Sequence, residues 1–519
     1  MTTDYETQFS PLISARSRKR FFKTFYDFDA KPDPLAHPNP IPLGGGTPNE
    51  GFFPVESIHV NLVDQPFQHF DYEVKGPGTN SFDKNTDEQV HKLNGDHTAV
   101  NTYRYPLNDD QISIHKGFQY SNSDGFPQLQ KFSKELITTL HKPAYDDYDV
   151  IITNGSGDSL FKVADLVCED GGSILVEEFT FTPFNNSAEN HNTAVIPVKL
   201  NIKDGSEPGI DPEYLDDLLT NWSTGPYKDK KKPTALYTIP TGQNPTGLTQ
   251  SLSLRKKIYA LAEKHNFLII EDDPYGYIVL PKYGTPNVYE SPDFTPAEYK
   301  KLLTPSYLTI DTSGRVIRLD TYSKLFAPGL RLGFITANPY LRRRIFIHTL
   351  LSTRHPSGVS QLLLNNIIQQ WGGVDGWLTW SSKVAKHYTY RRDIFLKEIY
   401  SSQPYKQGQI TVVEPDAGMF IIVYINIESQ VQDPHDYEKI LAKLKTKYIR
   451  HGVDVVFGNK MVADPTFENT IKNGNFIRTT IAAVSDNDAL IEGLKRFSSA
   501  TTEFFEELNG GQYDELISK

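Results

Sequence analysis

Tyr322-Ser323-Lys324-Leu325-Phe326-Ala327-Pro328-Gly329-Leu330-Arg331-Leu332-Gly333 is the stretch on which the reading of this chain turns. It lies between two short apolar runs, Val316-Ile317-Arg318-Leu319 and Leu332-Gly333-Phe334-Ile335, whose length suits buried strands rather than helices. Pro328-Gly329 breaks the chain between them, so the window predicts strand, turn, strand. Such a turn brings Lys324 and Arg331 to one end of a sheet, where open α/β sheets bind their ligands. An amine after a small hydroxyl residue, with a guanidinium seven residues on, places a nucleophile beside a phosphate clamp. Taken alone, the window also fits a surface turn carrying two solvated cations.

Upstream, the strand-like Ala235-Leu236-Tyr237 leads into Thr238-Ile239-Pro240-Thr241-Gly242-Gln243-Asn244-Pro245-Thr246-Gly247. Leu254, Ile258, Leu261 and Ala262 follow at helical spacing, and Phe267-Leu268-Ile269-Ile270 then runs into Glu271-Asp272-Asp273-Pro274-Tyr275. The order is strand, loop, helix, strand, ending in carboxylates. Earlier, Val150-Ile151-Ile152 precedes Thr153-Asn154-Gly155-Ser156-Gly157-Asp158-Ser159 and a helix-periodic Leu160, Val163, Leu166 and Val167. A glycine-rich turn from strand to helix exposes backbone N–H groups at a positive helix end, which suits a phosphate. Many helices begin this way, and the pattern is neither a P-loop nor a dinucleotide fingerprint. Amine, phosphate cradle and strand-end carboxylate together suit pyridoxal phosphate.

As a set, these segments resemble the fold-type I pyridoxal-phosphate-dependent aminotransferases. The likeness runs from about Gly44 to near the end of the chain and is strongest to the fungal aromatic-amino-acid aminotransferases of catabolic type, within the kynurenine and aminoadipate group. Glu178-Phe179-Thr180-Phe181-Thr182-Pro183, Asn221-Trp222-Ser223-Thr224-Gly225-Pro226-Tyr227-Lys228-Asp229 and Ala417-Gly418-Met419-Phe420-Ile421-Ile422 carry that closer match. Ser14-Ala15-Arg16-Ser17-Arg18-Lys19-Arg20 departs from it, lacking the Arg-x-Pro-Ser-Pro form of several relatives.

The resemblance implies an α/β fold, with a large domain on a mainly parallel sheet and a smaller α+β domain. It implies that Lys324 is the amine that condenses with the cofactor aldehyde, and that Ser156, Gly157, Ser323 and Arg331 cradle the cofactor phosphate. Asp272 would pair with the pyridine nitrogen, keeping the ring an electron sink. Asn244 and Tyr275 would reach the phenolic oxygen, Asn244 also the substrate carboxylate, while Asp273 falls outside the pattern. Phe181 would stack on the ring, although a core phenylalanine reads the same way. Arg478, in Asn475-Phe476-Ile477-Arg478-Thr479-Thr480-Ile481, would bind the substrate α-carboxylate, if it is not part of a structural ion pair. Tyr120 would reach the phosphate of a second subunit, making the enzyme a homodimer. Gly45 and Gly46, in the run Pro42 to Pro54, would let backbone approach the substrate, or form a linker.

Length and composition agree. A chain of 519 residues is too long for one compact core. The central region, from Tyr103 to Thr353, alternates strands and helices and is expected to be the large domain. Residues 1–102 and 354–519 are expected to form the arm and the small domain. The stretch Lys282 to Asp311, rich in Pro, Tyr and charge, reads as a surface excursion. With 53 basic and 64 acidic residues the net charge is −11, which disfavours nucleic-acid binding. Arg16 to Arg20 reads as a solvated basic arm or an import signal. One cysteine, Cys168, leaves no internal disulfide and no cysteine-based metal site, and no apolar run is long enough to span a membrane. The expectation is a soluble cytoplasmic protein without a metal.

The function expected from the resemblance is transamination between phenylalanine, tyrosine or tryptophan and a 2-oxo acid, such as 2-oxoglutarate or an aromatic oxo acid, by a ping-pong route through Lys324. Phe52, Phe53 and Phe420 are candidates for an apolar wall. An aminoadipate or kynurenine aminotransferase, a lyase or decarboxylase with the same cofactor, and a cofactor-binding regulator remain alternatives.

Overall fold

The structure, a computed structural model, describes residues 4–23, 35–39, 41, 43–66, 98–203, 205–285 and 293–517. Short strands β1 (Ser57–Leu62) and β2 (Thr98–Tyr103) pair antiparallel. The main sheet then uses β3 (Asp149–Thr153), β4 (Ser173–Glu177) and β5 (Ala194–Val198). After a small ribbon, β6 (Leu200–Asn201) with β7 (Gly209–Ile210), it continues through β8 (Ala235–Thr238), β9 (Leu268–Asp272), β10 (Val316–Thr321) and β11 (Gly333–Ala337). Its order is β3-β11-β10-β9-β8-β4-β5, and β11 alone runs against its neighbours. Almost every residue of these strands is buried, as expected of a mainly parallel sheet covered by helices on both faces.

This topology explains the site. Parallel strands all end at one edge, and there the chain carries Ser156 after β3, Phe181 after β4, Asn244 after β8, Asp272 closing β9 and Lys324 after β10. Because β11 is reversed, Arg331 precedes it at that same edge. The register is close: Thr321 lies opposite Gly333, and Gly333 opposite Thr153. Segments separated by 180 residues of sequence, Thr153 and Gly333, therefore meet.

The second sheet is antiparallel, with β12 (Ile410–Val413), β13 (Phe420–Ile425), β14 (Val456–Phe457) and β15 (Phe476–Thr480) in the order β12-β13-β15-β14. The 28-residue helix Val374–Ser401 packs on the C-terminal helix Asn487–Asn509 of this unit and also on Pro296–Leu302 of the large one. The two sheets are joined where Phe179 bridges Val462 and where Glu178 accepts hydrogen bonds from Asn469 Nδ2 at 2.7 and 2.8 Å.

Two expectations are corrected in part. The stretch 282–311, of which 286–292 lie outside the described residues, is exposed at 282–285 and over much of the helix Pro296–Leu302, but it is not surface throughout: Tyr299, Ser306, Tyr307, Leu308 and Asp311 are buried. The basic cluster is not a free solvated arm, although Arg16 and Lys19 remain exposed. Arg16 and Arg20 pair with Asp165 at 2.8 and 2.5 Å, and a carboxylate only 7 % exposed needs such compensation. Helices Tyr5–Phe9 and Ala15–Lys19 pack on the large unit rather than on the antiparallel sheet, through Tyr5 to Asp147 and Ser14 to the carbonyl of Asp165. Among the described residues no helix is long and apolar enough to cross a membrane, and no cluster of His, Cys, Asp or Glu could hold a metal.

Candidate active site

Lys324 sits in the turn between β10 and β11. As a residue it is exposed, yet its amine end is desolvated enough that burial leads the causes lowering its pKa below the usual lysine value. Arg331 and Arg478 lower it further, and Asp272 opposes them. The four charges expected to act together thus feel one another. Lys324 makes no hydrogen bond of its own among the described residues.

The segment expected to cradle the phosphate opens the helix Ser156–Val167. Gly155 precedes it with φ of 82°, in the left-handed region. A Cβ there would lie 2.6 Å from Arg331 Nη2, so only glycine lets that guanidinium settle against the turn. Arg331 donates to the carbonyls of Pro328 at 3.0 Å and Asn154 at 3.4 Å. Nothing lies within 4 Å of a Cβ on Gly157, so open space faces the helix N-terminus. Ser323 accepts at Oγ from Thr321 at 3.0 Å, on the same edge.

Asp272 is 4 % exposed. Burial, aided by Asp273 and Asp320, pushes its carboxyl up to about 7. Its donor is the Tyr237 hydroxyl at 2.7 Å, which favours the ionised form. Tyr237 is itself clamped by Phe184, stacked at 3.9 Å. Arg318 acts on Asp272 only through its charge and not as an ion-pair partner: it pairs with Glu271 at 3.0 Å, Asp320 at 2.8 Å and Asp273 at 2.9 Å. A buried carboxylate held by one phenol has room for a cationic partner, which a protonated pyridine nitrogen provides. On this ground, and on the open cradle, the residues present fit pyridoxal phosphate.

Asn244 follows β8 and is buried. Its loop presses against the start of β13, since a Cβ on Gly242 (φ 57°) would meet the backbone of Ala417 at 2.8 Å. Oδ1 of Asn244 accepts from Arg478 Nη1 at 2.8 Å. The guanidinium lies over the Phe420 ring at 4.4 Å, and Phe420 meets Tyr275 edge-on at 5.8 Å. Burial lowers the pKa of Arg478 and raises that of Tyr275. Phe181, half-buried, opens the helix Thr182–Asn190.

Phe420 is therefore at the site, whereas Phe52 is 84 % exposed. Gly46 is also exposed and touches nothing within 4 Å at its Cβ position. Tyr120, 67 % exposed, lies edge-on to His355 beside Pro48, Phe53 and Phe118, forming a second group with the segment after Gly46. Pro42 of that segment lies outside the described residues.

The sequence model of the family "aminotransferase class I and II" matches residues 93–494, a span that holds every charged group just described. The chain belongs to the class I and II aminotransferases. This aminotransferase is 40 % identical to aromatic amino acid aminotransferase 2 of Saccharomyces cerevisiae over 97 % of both chains. It is 31 % identical to an L-tyrosine:2-oxoglutarate aminotransferase of Serpula lacrymans, over 75 % of this chain and 69 % of that one. A crystal structure of an aromatic aminotransferase from C. albicans superposes with a TM-score of 0.84 at 42 % identity, covering 97 % of this chain and 99 % of that one. The fold is that of the fold-type I enzymes.

The aminotransferase also uses residues that sequence reading passed over. Tyr237 looked like one more apolar strand residue, and only the pairing of β8 with β9 sets it beside Asp272. Glu177, fully buried and pushed up to about 7 by burial, accepts from Thr238 at 2.6 Å and Gln243 at 2.9 Å, which stiffens the Asn244 loop from behind. Its place at a strand end was visible, but its partners were not.

Proposed function

We propose that this aminotransferase moves the amino group of phenylalanine, tyrosine or tryptophan to a 2-oxo acid, such as 2-oxoglutarate or an aromatic oxo acid, with pyridoxal 5'-phosphate as cofactor. The observation that carries the reading is the meeting of Asp272, Lys324 and Arg331 at one edge of the parallel sheet, with Arg478 brought to that edge by its hydrogen bond to Asn244. The aromatic side chain of the substrate rests on the likeness to the yeast and C. albicans enzymes and on Phe420 beside Arg478.

When bound, the cofactor supplies an aldehyde that condenses with amines and a ring that accepts the electron pair of the substrate Cα. The chain does the rest. Ser156, Gly157, Ser323 and Arg331 hold the phosphate, and Phe181 covers one ring face. The Asp272 carboxylate holds the proton on the ring nitrogen. Asn244 and Tyr275 donate toward the phenolic oxygen, and Arg478 binds the α-carboxylate in a bidentate fork. Lys324, its pKa lowered by burial and by Arg331, would take the proton from the substrate Cα and hand it to the carbon that had been the cofactor's aldehyde. Two half-reactions sharing one site give ping-pong kinetics.

The same reading makes the protein a cytoplasmic homodimer, with Tyr120 of each copy directed to the partner's phosphate site; its exposure leaves it free for that role. Gly46 belongs to the segment that covers the substrate. The large unit spans 103–353, with 1–102 and 354–519 as arm and small domain. The test is the visible spectrum of the loaded protein before and after phenylalanine, without acceptor, with phenylpyruvate assayed in the same tube. Loss of the lysine-bound cofactor band with about one phenylpyruvate per site is expected. A decarboxylated amine as product, or no visible band at all, overturns the proposal.

A further inference from the structure

Among the described residues Lys324 has no hydrogen bond to fix its amine, so the turn that carries it sets its direction. That turn closes on itself, with Phe326 N donating to Tyr322 O at 2.9 Å around Ser323, Lys324 and Leu325. Tyr322 is held on one side by Ser133, whose hydroxyl lies 2.8 Å from its own, and by Phe334 at 5.7 Å; the other ring contacts of the frame lead to one stretch of chain. Tyr322 meets Trp377 edge-on at 5.5 Å, Phe326 packs on Trp371 at 5.8 Å, and Trp371 stacks on Trp380 at 5.3 Å. The one hydrogen bond into the turn from this side comes from Trp380, whose indole Nε1 donates to the carbonyl of Leu325 at 2.8 Å. That carbonyl belongs to the residue directly after Lys324.

The donor is well anchored. Trp377 and Trp380 lie on the helix Val374–Ser401, which is held further along by Arg391, donating to the carbonyls of Ile481, Ala482 and Val484 at 2.9, 3.2 and 2.6 Å. Those carbonyls directly follow β15, the strand of Arg478. Eleven residues of helix separate Trp380 from Arg391, about 16 Å. One rigid element therefore touches both the lysine turn and the strand of the carboxylate-binding arginine.

We propose that Trp380 is a positioning residue for Lys324: its indole N–H fixes the Leu325 peptide and so aims the amine for proton transfer. The inference rests on the reading of Lys324 as the reactive amine. A phenylalanine at 380 keeps a ring against Trp371 and removes the donor alone. Loss of one hydrogen bond that acts on orientation, with the α-carboxylate contact untouched, lowers kcat about tenfold and leaves KM for phenylalanine within about twofold.

The holoenzyme is compared as wild type, W380F, W222F and K324A. Trp222 provides the control, because its Nε1 also donates to a carbonyl, Lys230 O at 2.9 Å, in a different part of the fold. The expected result is an inactive K324A and, of the two tryptophan variants, a kcat loss in W380F only, with faster amide exchange confined to Leu325 and Phe326. Trp380→Leu repeats the test should W380F not accumulate. A W380F enzyme that matches W222F in kcat and in exchange at the turn, while K324A is inactive, overturns this inference and leaves the proposed function standing. Turnover by K324A overturns both.

Discussion

Arg478 Nη1 lies 2.8 Å from Oδ1 of Asn244, a hydrogen bond that spans from the antiparallel sheet to the edge of the parallel one. Arg478 is on β15 and Asn244 follows β8, so this contact sets the spacing of the two units at the point where a substrate carboxylate would enter. The ring of Phe420 beneath the guanidinium fixes its plane.

Arg478→Lys is expected to raise KM for phenylalanine about thirtyfold, with a smaller change in kcat. A lysine offers a point charge in place of a planar fork, and a charge-assisted hydrogen bond is worth about 2 kcal/mol. Steady-state kinetics at fixed oxo acid decide it; an unchanged KM would falsify the assignment of the carboxylate to Arg478.

Gly155→Ala is expected to weaken cofactor binding at least tenfold while the protein still folds. The new Cβ meets Arg331 Nη2 at 2.6 Å and sits on a backbone with φ of 82°, a strain of about 1 kcal/mol before the guanidinium moves. Arg331 must then leave the cradle. Titration of the apo protein with pyridoxal phosphate measures the loss, and unaltered affinity would remove Arg331 from the phosphate site.

Much of this site could be read from the chain because its parts are local. Lys324 and Arg331 share one turn, Asn244 one loop, and Ser156 one helix start, and strand-turn chemistry is written in neighbouring residues. Arg478 was legible as a charged residue in an apolar strand. What could not be read depends on register and on distance. Tyr237 reaches Asp272 only because β8 and β9 pair as they do, and Trp380 reaches Leu325 across 55 residues of sequence. The buried part of the 282–311 stretch, around Tyr299 and Ser306 to Leu308, escapes sequence reading because its Pro, Tyr and charge content reads as surface. Its tyrosines instead carry their hydroxyls inward, Tyr299 to the carbonyl of Tyr277 and Tyr307 to Gln250.

Tyr237→Phe is expected to shift cofactor binding along the pH axis. The phenol donates to Asp272 and so favours its ionised form against burial, which already pushes that carboxyl up to about 7. Without the donor the pKa rises further, and at pH 7 more of the apo protein carries a neutral Asp272. Affinity for pyridoxal phosphate should therefore fall most at pH 6 to 7 and recover toward pH 8.5. The ring stays stacked on Phe184, so stability changes little. A loss of affinity that is equal at all pH values would show that Tyr237 acts on packing alone.

Glu178→Gln should alter the pH dependence of stability in a defined direction. Glu178 joins the two units, accepting from Leu200 N, Asn469 and Thr470, and burial pushes its carboxyl up to about 7 from 4.5 despite those donors. The folded pKa lies above the unfolded one, so between pH 4.5 and 7 the folded chain binds more protons, and stability is lost as pH rises through that window. The full cost, about 3 kcal/mol as an upper bound, applies above pH 7. Glu177, Asp272 and Asp320 are raised as well and contribute with the same sign, so the pH profile of wild type alone cannot isolate Glu178. The difference between variant and wild type can. Glutamine keeps one acceptor oxygen for Leu200 N or Asn469 and never ionises, so the Tm of E178Q relative to wild type should climb from pH 5 to pH 8. A difference that stays flat across that range would mean that Glu178 is ionised throughout, held so by Asn469 and the Leu200 amide.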